Sequence, residues 1–370
     1  MSHVCFVQHA VSGCADDCLD ELVQKFWETE EVAVATPKLS PEEEDALQAV
    51  KTSLSYTNER YKVGIPWKLD PEILPDNYEM ALKRLKDTEK KLSKNDTILA
   101  AYEDVIAKYL EKNYIRKVPE EDISKSKWYL PHFPVVNMDR STTKVRLVFD
   151  ASAKCSGISL NDVIHQGPKM QNDLFEILLR FRRYPVGLIC DVAEMYLQIE
   201  IAECDRPYFR FLWRSNDQVK PPVVYEFSRV VFGINCSPFL AQYITQEHAK
   251  LHETDLTMAS TTVVKSTYMD DSIDSVQTDI DALQLYNQLM NLWGAAAGMH
   301  ARKWLSNSKN VLNEIPAEDR LQEISILTDE LPSVKTLGLV WCAEADEFNF
   351  GCSSKQIAHS DKEILSQRNC

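Results

Sequence analysis

Three aspartates stand out as the residues best placed to do chemistry. Asp191 ends the apolar run Val186-Gly187-Leu188-Ile189-Cys190, and Asp270 with Asp271 follows Tyr268-Met269 just ahead of a second strand-like stretch. A carboxylate that ends a buried-type strand and a carboxylate pair at a hairpin tip meet if the two strands are neighbours. Such groups repel one another unless cations lie between them. Hard oxygen ligands of this kind suit Mg²⁺, with Mn²⁺ as a substitute, and the same ions share substrate phosphates. The chemistry implied is two-metal phosphoryl transfer, in which one ion lowers the pKa of an attacking hydroxyl and the other stabilises charge on the leaving oxygen. An Asp-Asp pair is also an ordinary turn former, so the pair is informative only in company with Asp191.

The elements that must position these carboxylates can be read from the spacing. Residues 186–191 form a buried-type strand, and 223–231 read as another strand segment. Ser237-Pro238 opens a helix through Phe239, Leu240, Tyr243 and Ile244. A strand over 261–268 runs into the aspartate pair, 272–276 is the return arm of the hairpin, and 281–293 is helical through Leu285, Leu289 and Leu292. Residues 337–341 add a last strand. The order β-α-β-β-α-β is that of a split βαβ antiparallel sheet, which brings Asp191 beside the hairpin tip. Strand texture begins near Trp128, with WYLPHFPVV and then KVRLVFDAS. The N-terminal third reads as helices. Ser40-Pro41-Glu42-Glu43 and Asp76-Asn77-Tyr78-Glu79 look like capping-box starts, and from Asp96 a stripe of Ile98, Leu99, Tyr102, Val105, Ile106, Tyr109 and Leu110 follows helical spacing. The fold class is α+β, with a helical leader over 1–125, a mixed part over 126–310 and a closing part over 311–370.

The 370 residues are 44% hydrophobic and 26% charged, enough for a sizeable core, and no run of 18 apolar residues marks a membrane span. Ten scattered cysteines, most in apolar runs, read as reduced thiols in a cytoplasmic protein. The net charge of −15 excludes a surface coated in basic residues, so a nucleic-acid partner requires locally concentrated positive charge. His9, Cys14 and Cys18 lack the spacing of a four-ligand zinc site.

In this order, Asp191-Val-Ala-Glu-Met-Tyr196, Phe232-Gly233-Ile-Asn-Cys-Ser-Pro238 and Tyr268-Met-Asp-Asp271 resemble the motifs of reverse transcriptases. More narrowly, the chain resembles the Pao/BEL group of long-terminal-repeat retrotransposons through FWETEE from Phe26, RYKVGIPWK from Arg60, WYLPHFPV from Trp128, KVRLVFDASAK from Lys144, RFLWR from Arg210, RKWLSN from Arg302 and LGLVW from Leu337. The resemblance implies a right-hand polymerase fold. Fingers and palm would fill 126–310, and 311–370 would hold the end of the palm and the start of a thumb. It implies an RNA-directed DNA polymerase that uses deoxynucleoside triphosphates, a primed RNA or DNA template and two Mg²⁺ ions. The setting would be cytoplasmic or a virus-like particle, beside other polyprotein modules and away from membranes.

The same resemblance assigns roles. Asp191, Asp270 and the carbonyl of Val192 would ligate metal, with Asp271 as the second acid of the hairpin. Tyr196 matches the steric gate beneath the incoming sugar, the plain alternative being a core aromatic that packs under the sheet. Lys144 and Arg146 match basic finger residues that reach the triphosphate, where a guanidinium fork fits phosphate oxygens, the plain alternative being that Arg146, between Val145 and Leu147, faces solvent on a strand. Phe232 and Gly233 match the loop before the palm helix, where a missing Cβ lets backbone approach template or nucleotide. Lys303 matches the lysine that protonates departing pyrophosphate, although the preceding Ala295-Ala296-Ala297-Gly298-Met299 departs from the pattern and a solvated helix-end lysine is the plain alternative. No Asp-Thr-Gly or Asp-Ser-Gly protease motif is present. The alternative of a different class is an inactive retroelement descendant that binds nucleic acid or other proteins. An RNA-making polymerase is a third option, and Tyr196 argues against it.

Overall fold

A computed structural model describes residues 38–136, 145–295, 298–321 and 331–349. The chain divides into the units Met1–Ser40 and Pro41–Cys370, and every element named here lies in the second. Lys144, the His9, Cys14 and Cys18 group and the motif from Phe26 fall outside the described residues.

The N-terminal helices are α1 (Pro41–Ser53), α2 (Tyr78–Leu92) and α3 (Asp96–Glu111). Pro41 opens α1 with Glu42, Glu43 and Glu44 in its first turn, where the macrodipole favours acids. α3 is capped by Asn95, whose side chain accepts from the amide of Ile98. At α2 Asp76 Oδ1 accepts from the Tyr78 amide at 2.9 Å, but the residue at the cap is Asn77, which makes no side-chain bond to the helix. The Asn77 side chain instead turns inward, where its Nδ2 donates to the Tyr129 carbonyl (2.7 Å) and its Oδ1 accepts from the Tyr129 amide (2.8 Å). A buried backbone segment that needs two partners outcompetes a helix end that water can serve.

The strands begin with β1 (Ser55–Thr57), β2 (Arg60–Val63) and β3 (Ile115–Lys117), with the one-turn α4 (Glu120–Ile123) after them. A two-stranded ribbon of β4 (His132–Val136) and β5 (Val145–Phe149) follows. Next come α5 (Leu174–Phe181), β6 (Val186–Val192), β7 (Glu200–Ile201), β8 (Arg210–Trp213), β9 (Val223–Phe227), α6 (Ser237–Leu251) and α7 (Thr257–Lys265). The described chain ends with β10 (Thr267–Tyr268), β11 (Asp271–Val276), α8 (Asp279–Ala295), β12 (Ala301–Ser306), α9 (Lys309–Glu314), β13 (Ser333–Thr336), β14 (Leu339–Cys342) and β15 (Glu347–Asn349).

The sheet that matters for chemistry has four strands in the order β10-β11-β6-β12, every neighbouring pair antiparallel. Its strands alternate between two apolar clusters, as period-2 side chains must. Leu188, Cys190 and Val192 of β6 face the main core together with Leu285, Leu289 and Trp293 of α8. Ile189 joins Ile273 of β11 and Leu305 of β12 in a smaller cluster with Ile177 and Phe181 of α5 and Trp341 of β14. Asp191 continues the row of Ile189, so it emerges at the end of the smaller-cluster face.

Two expectations about this sheet are corrected. Residues 257–265 form helix α7, leaving only Thr267–Tyr268 as strand. The β-branched run Thr261-Thr262-Val263-Val264 suits a strand, but packing against α6 and α8 overrides that weak preference. The fourth strand is β12, whereas 339–342 belong to a separate β13-β14-β15 meander. Lys303 therefore lies in a strand and not at a helix end. A register shift between Arg302 and Leu305 breaks the alternation that would have announced β12.

The matched motifs upstream mostly build scaffold. Arg210 makes a buried 2.7 Å ion pair with Glu226, and Arg214 makes one of the same length with Glu89 of α2. The Trp67 indole and the Ile65 amide both donate to the carboxylate of Asp205.

Candidate active site

Register places the first aspartates. In the β11–β6 pair Asp271 lies opposite Asp191, and on the other flank Arg302 of β12 lies opposite Asp191. Residues directly opposed in a sheet share a face, so acid, acid and cation form one row across three strands. The irregularity in β12 adds Lys303 to the same side: its φ is +56°, and the side chain reaches back to the carboxylate. Lys303 Nζ donates to Asp191 Oδ2 at 2.8 Å, and Arg302 Nε stands 3.5 Å from Oδ1. Asp191 is thus held between two cations.

Asp270 sits in the turn, pinned against β6 by a 2.7 Å bond from the Val192 amide to its carbonyl. Met269, the first of the two turn residues, has φ +56°, the left-handed conformation that tight hairpins demand at this position and that glycine adopts most easily. Neighbouring amides hold the strained turn. Gln242 of α6 donates to the Met269 carbonyl at 3.0 Å, and Asn172 donates to the Thr267 carbonyl at 2.9 Å.

The carboxylates feel one another. Burial pushes the Asp271 carboxyl up to about 7, helped by the charges of Asp270 and Asp191 and opposed by Lys303. Asp270 is exposed at the turn yet also shifted upward, first by the protein mass around it and then by Asp191, with Lys303 and Arg302 pulling the other way. The adjacent Cys190 thiol is fully buried and pushed upward by desolvation, which keeps it inert.

Tyr196 lies on the 3-10 turn Met195–Gln198 that follows β6, and its ring packs against Phe232 with 4.3 Å between centroids and the planes tilted by 35°. Tyr196 is 4% exposed and Phe232 53%, so Phe232 is the ring of the pair that meets solvent. Desolvation, and after it the charge of Asp270, raises the Tyr196 phenol.

Gly233 has φ +102°, and a Cβ there would overlap the carbonyl oxygen of Phe149 in β5. The backbone that approaches this glycine most closely is therefore the protein's own. Arg146 is exposed on β5, opposite Val135.

Among the described residues, no group of three or more His, Cys, Asp or Glu side chains is arranged to hold a metal ion. The donor chemistry nevertheless suits one. Two carboxyls raised by burial and mutual repulsion are groups that a hard dication would relieve, and Asp191 can join them once Lys303 and Arg302 let go. Sequence reasoning missed Arg302, Gln242 and Asn172. Only Arg302 left a signal, as a cation beside a matched lysine.

No protein-family model and no curated protein matches the chain. Among solved structures it is similar to the foamy viral protease-reverse transcriptase in complex with double-stranded DNA, with 16% identity over 69% of this chain and 35% of that one and a TM-score of 0.47. A mutant of the prototype foamy virus protease-reverse transcriptase gives 17% identity over 56% and 24%, with a TM-score of 0.42. The chain thus spans about a third or less of either neighbour. What the site can do is carried by its own geometry. No helix among the described residues is long and apolar enough to cross a membrane.

Proposed function

We propose that the chain is the RNA-directed DNA polymerase module of a Pao/BEL-type retroelement, transferring a nucleotide from a deoxynucleoside triphosphate to a primer 3′-hydroxyl. The observation that carries this reading is the register that sets Asp191 opposite Asp271, with Asp270 in the adjoining turn. Asp191, Asp270, Asp271 and the carbonyl of Val192 would hold two Mg²⁺ ions, which when bound supply Lewis-acid stabilisation of the transferring phosphoryl group. Tyr196 excludes a ribose 2′-hydroxyl from the sugar site. Arg146, with Lys144, meets the triphosphate. Lys303, released from Asp191, would protonate the departing pyrophosphate.

The test is primer extension by the purified chain on an RNA template with Mg²⁺ or Mn²⁺. Extension is expected, and Asp270→Asn should lower it by about three orders of magnitude or more, since metal-bound carboxylates support several kcal/mol of transition-state stabilisation. A variant with near-normal extension overturns the assignment. A second reading, a non-catalytic nucleic-acid-binding descendant, is favoured by one observation: Lys303 and Arg302 already neutralise Asp191. Template binding without extension under both metals would select it.

A further inference from the structure

Glu194 is the third residue after Asp191 and has φ +50° and ψ +35°, a left-handed conformation that a glutamate adopts only when its surroundings dictate it. Its carboxylate is gripped from far upstream. Lys112 Nζ donates to Oε2 at 2.7 Å, and the Tyr114 hydroxyl donates to the same oxygen at 2.8 Å. The Tyr114 hydroxyl also accepts from Nε2 of Gln198 at 2.9 Å, and Arg60 donates to the Gln198 Oε1 at 3.2 Å. Tyr114 and Gln198 are 5% and 7% exposed. Glu194 precedes the 3-10 turn and Gln198 ends it. One buried hydroxyl therefore ties together the two ends of the turn that carries Tyr196.

We infer that Tyr114, seconded by Lys112, is a positioning residue for sugar selection: it fixes the height of the Tyr196 ring by clamping both ends of its turn. This rests on the polymerase reading for its functional half. Its structural half stands alone. The turn closes on itself through the Leu197 amide to the Glu194 carbonyl (2.8 Å) and the Ile199 amide to the Tyr196 carbonyl (3.1 Å). Those two amides report whether the clamp holds. Without the hydroxyl, Glu194 loses a partner while keeping a strained backbone, and Gln198 is left with a buried, unmatched donor. The turn then relaxes and the ring drops from its set position.

The experiment compares the wild-type chain with Tyr114→Phe, Lys112→Met and Glu194→Gln, which keeps an acceptor for Tyr114. Hydrogen exchange at the Leu197 and Ile199 amides should speed up by about tenfold in Tyr114→Phe and less in Lys112→Met, while β11 amides stay protected. In primer extension, Tyr114→Phe should lower discrimination between deoxynucleotides and ribonucleotides by about fivefold, with kcat for deoxynucleotides within about threefold of wild type. Glu194→Gln should retain most of that discrimination. Unchanged exchange at Leu197 and Ile199 in both Tyr114→Phe and Lys112→Met overturns the clamp. Faster exchange with unchanged discrimination, or a parallel fall of all kinetic constants, overturns the selection role. An inert wild-type chain overturns the polymerase reading and the selection role with it, while exchange still decides the clamp. Should Tyr114→Phe not fold, Lys112→Met, altered only at a half-exposed lysine, decides both halves.

Discussion

Asp271 is a carboxylate stabilised mainly by losing its charge. Its upward shift means that the folded state binds the proton more tightly than the unfolded chain does. Stability from this group is therefore present below the ordinary aspartate range and is lost as pH rises towards about 7. Replacing Asp271 with Asn should leave stability at pH 4 nearly unchanged and raise it at pH 8 by roughly 1–3 kcal/mol, read from urea unfolding at the two pH values. Equal effects at both would show that burial does not hold the Asp271 carboxyl protonated. At Tyr196 the expectation is kinetic. Tyr196→Val should raise ribonucleotide use about ten- to a hundredfold while deoxynucleotide use largely survives, because overpacking against a ring costs roughly 1–3 kcal/mol. Impairment of both substrates alike would make Tyr196 a packing residue. Asp191, Asp270 and Asp271 were legible in the sequence because strand-ending and turn-forming carboxylates have local signatures. The cations on Asp191 were not, since which residue lies opposite which depends on a strand register that spacing alone does not set.

Among the elements, long periodic segments were read correctly and short or irregular ones were not. Helix α3 and strand β6 carry apolar patterns that match their burial, whereas α7 looked like a strand and β12 like a helix end. In both failures a neighbour decides: helix packing holds α7, and the positive φ at Lys303 hides β12. The loop at Gly233 yields a prediction of its own. Its φ of +102° and the Phe149 carbonyl in the Cβ direction leave no room for a side chain, so Gly233→Ala should destabilise the chain by about 2–4 kcal/mol and pull β5 out of place. Chemical denaturation measures this, and a change below about 0.5 kcal/mol would mean that the loop and β5 are independent.

Across the molecule, one apolar cluster runs from Ala46 and Leu85 in the N-terminal helices through Trp128, Phe211 and Phe227 to Trp293 and Trp304 beside the four-stranded sheet. Helices, ribbon and sheet therefore share a core. Trp128 is fully buried within it, and Trp128→Ala should cost about 3–5 kcal/mol. Far-UV dichroism and tryptophan fluorescence should move together to a lower denaturation midpoint, because all these layers lose the same packing. Separate transitions would show that the N-terminal helices fold as a unit of their own. The net charge of −15 makes nucleic-acid affinity depend on where the cations lie, and Arg302, Lys303 and exposed Arg146 are spread over two different sheets.

The amide of Asn77 impersonates a strand. By giving one hydrogen bond to Tyr129 and taking one back, it does for that residue what a neighbouring β-strand would do, using a single side chain. Only a group with both a donor and an acceptor can play this part. Hydrolysis of the amide to a carboxylate, a slow ageing reaction of asparagine, would keep the acceptor and turn the donor into a repulsive oxygen. The buried carbonyl of Tyr129 would then face a carboxylate oxygen and lose the donor it has now. In an ageing preparation of the protein, a fall in the denaturation midpoint should follow the loss of this one nitrogen.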